Sequence, residues 1–428
     1  MMTARGKDSD YEMSLNHDII GHLCSYLCTK DIKTCRLVSS YWNYGATPVL
    51  KTRTSIALLL SPGDYGNDDP FPEGALETWN ILGVVEKLKF CPTQVTLLIP
   101  SNSDNRLAEF PDFSVFPQTN NLKSISVEFP AGDQFRWQHE LATKFVQSAS
   151  TNLQELEFVS VRGDLNMPVA LDFPSFGGSL FPKLRKLRVD IDLGEGPVPR
   201  IVEAITTSFP NLEHFVTECE QFVGILEAGL IFNWPESLKN LGLYGELTTD
   251  GMESLLKIPP GLKKLSFGDK IVEVWVDICD FADDVETIFY KFLQKQAPTL
   301  ENLEVGVVWS GTMKNVEWKF PVFPVLKSLY VHYNSKKTEI GFETGPGSGN
   351  FGGINYHVGF PVLEVFDVTI LKGKEAWLES FLPSTSNRQL VQSVRKVRVR
   401  IPEEGGKTKH IMFQRLLDMF PNAKSCNS

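Results

Sequence analysis

A chain of 428 residues exceeds one ordinary compact domain, so its length predicts either two or three domains or one elongated array of repeats. Hydrophobic residues at 42% and charged residues at 22% exclude a mostly disordered chain. A net charge of -10, with Lys and Arg scattered along the chain, argues against nucleic acid as the main partner.

Residues 1–14, beginning MMTARGKDSDYE, have no apolar stretch after their charges and read as a flexible N-terminus without a secretory signal. No apolar run approaches the roughly 20 residues needed to span a bilayer, so no membrane partner is expected. Seven cysteines at irregular spacing, with no Asn-x-Ser/Thr acceptor, point to reduced thiols in the cytoplasm, the nucleus or both.

Residues 15–50 read as helices. Asn16 is the expected N-cap, Leu15 and Ile20 occupy the staple positions, and Asp18 sits in the first turn where the helix dipole favours an acid. Ile19, Ile20, Leu23 and Leu27 form one apolar stripe, and Ile32, Cys35, Val38, Tyr41 and Trp42 a second along a following helical pair. So short and apolar a segment makes a weak domain alone, and a partner is expected to cover part of it. His22, Cys24, Cys28 and Cys35 are metal-ligand types but lack paired C-x-x-C spacing. Cys24 flanks the first stripe and Cys35 lies in the second, so both are expected to pack as small apolar residues, with no metal and no cofactor.

Leu15, Asp18-Ile19, Tyr26-Leu27, Asp31-Ile32, Arg36-Leu37-Val38 and Trp42 follow the order and spacing of the F-box pattern. That pattern runs Leu-Pro-x-Glu-Ile, Tyr-Leu, Asp-Leu, then Arg-x-Val-x-x-x-Trp, and the segment resembles an F-box. Asn16 stands where the family usually has proline, and Cys28 at a second position that often holds it.

From residue 121 onward one phrase recurs: a Pro or Phe-Pro punctuator, then apolar residues at first, fourth and sixth positions. The copies are NLKSISV, NLQELEF, KLRKLRV, NLEHFVT, SLKNLGL, GLKKLSF, TLENLEV, VLKSLYV, VLEVFDV and SVRKVRV. Their leading residues, from Leu122 to Val394, are 24 to 38 residues apart, the length of one supersecondary unit. The alternation within each phrase predicts a strand buried on one face. Helical patterns lie between some strands, at Phe135–Ser148, Pro199–Thr207, Asp284–Gln296, Lys374–Phe381 and Lys407–Met419; the other connections carry only loops. The last of these helices is expected to cap the array, before an unfinished phrase in FPNAKSCNS.

The phrase resembles the strand pattern of the leucine-rich repeat, L-x-x-L-x-L, over roughly residues 90–428. Val161, Asp192 and Glu220 occupy the family's Asn or Cys position, so the repeats are divergent. The resemblances imply an α/β chain: a small helical F-box at 15–50, then a curved leucine-rich-repeat solenoid at 51–428. Parallel strands would line its concave face and helices or loops its convex face.

An F-box followed by leucine-rich repeats is the layout of substrate-recognition subunits of SCF-type cullin-RING ubiquitin ligases. The resemblance implies that the F-box docks on a Skp-type adaptor joined to the cullin-RING scaffold, while the solenoid binds the protein substrate for ubiquitin-dependent degradation. Such a receptor is not an enzyme; it raises the local concentration of a substrate lysine. Carried over by motif, the adaptor-docking set, including residues that support the helices, is Leu15, Ile19, Ile20, Leu23, Leu27, Ile32, Leu37, Val38 and Trp42. The alternatives are a repeat scaffold that binds proteins outside ubiquitin transfer, and an F-box protein acting with the adaptor alone.

Third, fifth and seventh positions of the phrases face outward and supply the candidate substrate surface: Glu155, Glu157, Lys186, Arg188, His214, Tyr244, Tyr330, His332, Asp367, Lys396, Arg398 and Arg400. Parallel register predicts the pairs Glu155 with Lys186, Glu157 with Arg188 and Asp367 with Arg398. Lys396, Arg398 and Arg400 have fewer acids to match them, which suits an acidic or phosphorylated peptide.

No nucleophile elbow or H-E-x-x-H motif occurs. Gly347-Ser348-Gly349-Asn350-Phe351-Gly352 satisfies G-x-G-x-x-G, but a phosphate cradle needs a strand before it and a helix after it, and neither is expected here. Residues 341–355 read instead as a Gly-rich insertion. The acids of 277–286 lack calcium-loop spacing and are expected to open the following helix.

Overall fold

The computed structural model describes residues 16–53, 55–59, 76–77, 93–99, 122–129, 136–160, 179–190, 207–217, 234–243, 253–267, 285–308, 316–334, 338–346, 351–352, 354–370, 375–382, 390–400 and 414–425. Leu15, Tyr244, Gly347–Asn350, the acids of 277–284 and most of the expected helix at 199–207 lie outside these residues.

The N-terminal stretch folds into α1 (His17–Cys24), α2 (Thr29–Cys35) and α3 (Ser40–Arg53). Asn16 caps α1: its side-chain oxygen accepts from the Asp18 N–H at 3.3 Å, and its carbonyl accepts from Ile19 at 2.9 Å. Ile20 and Cys24 of α1, Ile32 of α2, and Ala46 and Leu50 of α3 form a buried core, with Leu27, Cys35, Trp42 and Val49 packed against it. Helices α1 and α3 approach at Gly45, where a Cβ would stand 2.7 Å from the Ile20 Cβ and 3.0 Å from the His17 carbonyl oxygen. The second apolar stripe divides. A turn at 36–38 ends α2, and Ser39 caps α3 by accepting from the Trp42 N–H, which leaves Val38 and Tyr41 exposed rather than continuing the stripe inward.

Among the described residues fourteen strands form one sheet, and every pairing within it is parallel. At one end lie β2 (Leu76–Glu77), β1 (Ser55–Leu59) and β3 (Gln94–Leu98). The order continues through β4 (Ser124–Phe129), β5 (Glu155–Ser160), β6 (Lys186–Asp190), β7 (His214–Thr217), β8 (Asn240–Leu243) and β9 (Lys264–Phe267). It ends with β10 (Asn302–Val308), β12 (Ser328–Asn334), β15 (Val365–Ile370), β16 (Lys396–Arg400) and β17 (Lys424–Ser425). All ten phrases are strands of this sheet, β4 to β10, β12, β15 and β16. The phrase begun in FPNAKSCNS supplies β17. Strands β1, β2 and β3 lie within the expected array but outside the ten phrases; in the sequence before β3, Pro92 takes the place of the leading leucine.

Burial follows the phrase. Leu153, Leu156 and Phe158, then Leu184, Leu187 and Val189, and so on along the sheet, are almost wholly removed from solvent in one continuous core. The punctuator has a mechanism: in Phe181-Pro182-Lys183-Leu184 and Phe209-Pro210-Asn211-Leu212 the phenylalanine carbonyl accepts from the leucine N–H at 3.2 and 3.3 Å. Proline holds the second turn position, where its fixed φ suits the bend and no donor is needed. The phenylalanine points inward and the proline outward, so successive turns stack Phe181 near Phe209 and Phe323 against Phe360, at 5.4 and 5.8 Å between ring centres.

Helices α4 (Arg136–Ser148) and α5 (Val285–Gln296), both foreseen, bury Phe145 and Val146, and Phe289, Phe292 and Leu293, in that core. The expected helix at 374–381 is a 3-10 helix, Glu375–Phe381, and 414–419 is helical within the expected last helix. A second sheet was not foreseen: β11 (Val316–Phe320) pairs parallel with β13 (Thr338–Glu343), which pairs antiparallel with β14 (Phe351–Gly352). Its Trp318 meets Phe289 edge-on at 4.6 Å and its Phe342 meets Phe360 at 5.9 Å, so this sheet joins the main core.

That sheet corrects the reading of the Gly-rich insertion. A strand, β13, does precede the G-x-G-x-x-G stretch, and a helix, α6 (Tyr356–Gly359), follows it. The stretch begins four residues beyond the end of β13 and its last two residues form β14. The helix is one turn long and Asn355 already bonds the Val358 N–H, so the described residues offer no free helix N-terminus for a phosphate. Among the described residues no helix is long and apolar enough to cross a membrane.

Gln296, wholly buried at the end of α5, ties that helix to the strand connection before β9. Its carbonyl accepts from the N–H groups of Gly261 and Leu262 at 3.1 and 3.2 Å, and its amide donates to the Pro259 carbonyl at 3.0 Å. Gln296→Ala orphans these buried groups and is expected to lower stability by roughly 2–4 kcal/mol. Urea unfolding of the full chain checks this, with Gln294→Ala, on the exposed side of the same helix, expected within about 0.5 kcal/mol of the parent.

Candidate functional site

Two surfaces carry the residues singled out from the sequence. On the N-terminal helices Ile19, Leu23, Leu37 and Val38 are 49%, 44%, 86% and 66% exposed. Ile20 and Ile32 are internal and cannot touch a partner; Leu27 and Trp42 pack partly against the same core. Tyr26, of the motif, Tyr41, of the second stripe, and Tyr44 were not among the expected docking residues, yet all three are exposed; His17 stacks on Tyr41 at 5.5 Å and lies 4.4 Å from Tyr44. Cys28 stands apart from the other thiols, donating to the Asp31 carboxylate at 3.0 Å, whereas Cys24 and Cys35 lie together; burial pushes the Cys24 thiol up, helped by the Cys35 charge and by a hydrogen bond with it.

The second surface is the outward face of the parallel sheet. Its register places third-position residues in one row, Glu155, Lys186, His214, Asn240, Lys264, Asn302 and Ser328, continuing to Lys396. Fifth-position residues form the next row, from Glu157 and Arg188 through Ser266, Glu304, Tyr330 and Asp367 to Arg398. All three expected pairs form: Lys186 to Glu155 at 3.9 Å, Arg188 to Glu157 at 3.0 Å and Arg398 to Asp367 at 3.4 Å. Arg188 also reaches Asp190 at 3.3 Å. Beside them, burial pushes the His214 imidazole below its ordinary value, and Asn240 bonds its Nδ1. Burial raises Glu128, with a further push from the Glu157 charge.

Two departures change what this face offers. Asp367, expected as a contact residue, is only 3% exposed; its Oδ2 accepts from Arg398 and also from Arg400, at 3.1 Å, so neither arginine is free of an acid. Ser266, Glu304 and His332 also meet: Ser266 Oγ donates to Glu304 Oε2 at 3.2 Å, and His332 Nε2 lies 3.6 Å from Oε1. The carboxylate stands between hydroxyl and imidazole and occupies both, so the imidazole does not activate the serine as a nucleophile.

The edge formed by second positions was overlooked, although its alternating charges stand in the sequence directly after each leading residue. Glu213 bridges Arg185 and Lys239 at 3.4 and 3.0 Å, and Glu301 bridges Lys263 and Lys327 at 3.6 and 2.7 Å. Hydrogen bonds from Lys239 and Lys327 are the main cause holding these two carboxyls below the ordinary range. Gln154, Lys183, Arg185, Asn211 and Glu213 line an open polar groove of about 430 Å³ along this edge. Among the described residues no three His, Cys, Asp or Glu side chains are grouped to hold a metal ion.

No protein-family model matches this chain, and no curated protein matches it.

The His332 imidazole 3.6 Å away is the leading reason that the Glu304 carboxyl lies below its ordinary value, against a smaller upward push from burial. A lowered folded-state value stabilises the protein above the unfolded carboxyl's value, and that stability is lost as pH falls through the folded one. Glu304→Gln is therefore expected to flatten the loss of stability between about pH 5 and pH 3. Urea midpoints measured across this range check it.

Proposed function

We propose that this chain is the substrate-recognition subunit of an SCF-type cullin-RING ubiquitin ligase. In this reading residues 15–50 form an F-box that docks on a Skp-type adaptor. The parallel strands line the concave face of a curved leucine-rich-repeat solenoid, and their outward side chains hold the protein substrate. The observation that carries the reading is the exposure of Ile19, Leu23, Leu37 and Val38 on helices that already possess their own core. Those are positions at which the F-box pattern meets its adaptor, and branched apolar side chains held in water favour a partner that covers them.

The sheet suits the substrate role because its rows hold side chains at fixed spacing, about 4.8 Å from strand to strand. A receptor of this kind performs no chemistry. It raises the effective concentration of a substrate lysine near the conjugating enzyme. A protein-binding scaffold outside ubiquitin transfer is the second reading. The observation favouring it is Asn16, which caps α1 through its side chain where the family pattern has proline.

The test is affinity purification of the full chain from cells. A Skp-type adaptor and a cullin are expected to co-purify, and Leu23→Glu combined with Val38→Glu is expected to abolish both while the melting temperature stays within a few degrees of the parent. Absence of adaptor with the parent chain overturns the ligase reading; adaptor without cullin favours an F-box protein working outside ubiquitin transfer.

A further inference from the structure

The outward charges of the sheet are balanced on the inner strands β5 and β6 and unbalanced on β16, next to the last strand. On β5 and β6, Glu155, Glu157 and Asp190 face Lys186 and Arg188. On β16 the outward residues Lys396, Arg398 and Arg400 are all cations, Arg395 stands at the edge of the same strand, and Lys424 of β17 lies beside Lys396. The outward acid on the adjoining strand β15 is Asp367, and it is buried beneath the two guanidiniums rather than displayed beside them.

That carboxylate binds both guanidiniums through one oxygen. Oδ2 takes Nη1 of Arg398 and Nη2 of Arg400, while Oδ1 is left without a partner, as are the buried Nε of Arg398 and Oγ1 of Thr369. Fixing two guanidiniums from below removes much of their rotational freedom before any ligand arrives. Arg400 remains 44% exposed and Arg398 26% exposed, so the fixed pair stays within reach of an incoming group. Among the described residues Glu364 stands beside Arg395 at the edge, and the single outward carboxylate, Asp367, cannot neutralise Lys396, Arg398 and Arg400, a local positive surplus on a chain whose net charge is -10.

We infer that Arg398 and Arg400, held by Asp367 and aided by Lys396, form an anchoring site for an anionic side chain, carboxylate or phosphate, on an extended peptide segment of the partner protein. This rests on the reading of the outward face as protein-binding and names the chemistry it selects. A peptide fits better than nucleic acid, because the cationic strip is confined to the last two strands and the rest of the chain repels a polyanion. Two guanidiniums present planar donor edges suited to two-oxygen recognition of either anion.

The test is fluorescence anisotropy with the purified full chain and no adaptor present. The probes are fluorescein-labelled peptides of alternating Glu and Gly, of alternating phosphoserine and Gly, and of alternating Gln and Gly, together with a single-stranded RNA of equal length. At least one anionic peptide is expected to bind and the Gln peptide not to; whichever binds more tightly identifies carboxylate or phosphate as the source. Arg398→Gln with Arg400→Gln is expected to weaken that binding about tenfold or more, while Lys257→Gln with Lys291→Gln, two exposed lysines outside the outward face, changes it less than about twofold. Should the double variant unfold, Arg400→Gln alone, at the more exposed position, is expected to weaken binding at least about threefold. No binding of either anionic peptide, equal binding by folded Arg398/Arg400 variants, or tighter binding of the RNA overturns the inference. Because no adaptor is present, its failure and that of the ligase reading are separable: a chain that binds peptide without adaptor loses only the latter, and one that co-purifies with adaptor but ignores the peptides loses only the former.

Discussion

The structure depends on an unbroken parallel ladder in which equivalent residues of successive phrases stand side by side. Each inner strand has its backbone donors and acceptors met by two neighbours, and the same register brings Leu153, Leu184 and Leu212 into contact with one core. A slip of a single residue in any strand would exchange Leu187 and Val189 for Lys186 and Arg188 on the buried side. The cost of burying those charges is what keeps the register single-valued. Outward chemistry is a by-product of that constraint: the rows of acids and bases exist because the inward rows have to align.

Much of this was legible in the amino-acid sequence, because the phrase carries both period and punctuation. Leucines at first and fourth positions read as a half-buried strand, and the three cross-strand ion pairs then follow from register alone. What escaped notice had weaker local signals. In β3 a proline replaces the leading leucine. The short alternations of β11 and β13, around Trp318 and Phe342, match no phrase, and only packing against Phe289 and Phe360 reveals why they are there. Val38 looked like a continuation of the inner stripe because helical period was assumed to run through residues 36–38, whereas a turn resets it. The burial of Asp367 depends on what its neighbours do with their guanidiniums, which spacing does not encode.

The candidate sites divide along the same line. Motif order located the exposed residues of the N-terminal helices, but it did not separate Ile19, which faces solvent, from Ile20, which fills the core between α1 and α3. Adjacent positions on a helix differ by about a quarter turn, and the approach of the helices at Gly45 decides which of them is enclosed. On the sheet, alternation gave the outward rows, although Asp367 within them is buried and Tyr244 lies outside the described residues; the balance of charge became visible only once the strand order was known. The second-position edge shows the converse. Its charges were plain in the chain, and their alternation acquires meaning because Glu213 and Glu301 each stand between two lysine or arginine side chains brought from different strands.

The Phe-Pro turns bear on how such a chain tolerates change. Leading residues of successive phrases are separated by anything from 24 to 38 positions, yet the strands lie in register. A turn that anchors a ring in the core three residues before the leucine and bends at a proline sets the phase of the strand afresh. Whatever length precedes it is discarded as far as the ladder is concerned. Connections can thus lengthen, shorten or acquire a whole extra sheet, as between β10 and β15, while the face they support keeps its spacing. The architecture separates what may vary from what must stay in step, one turn at a time.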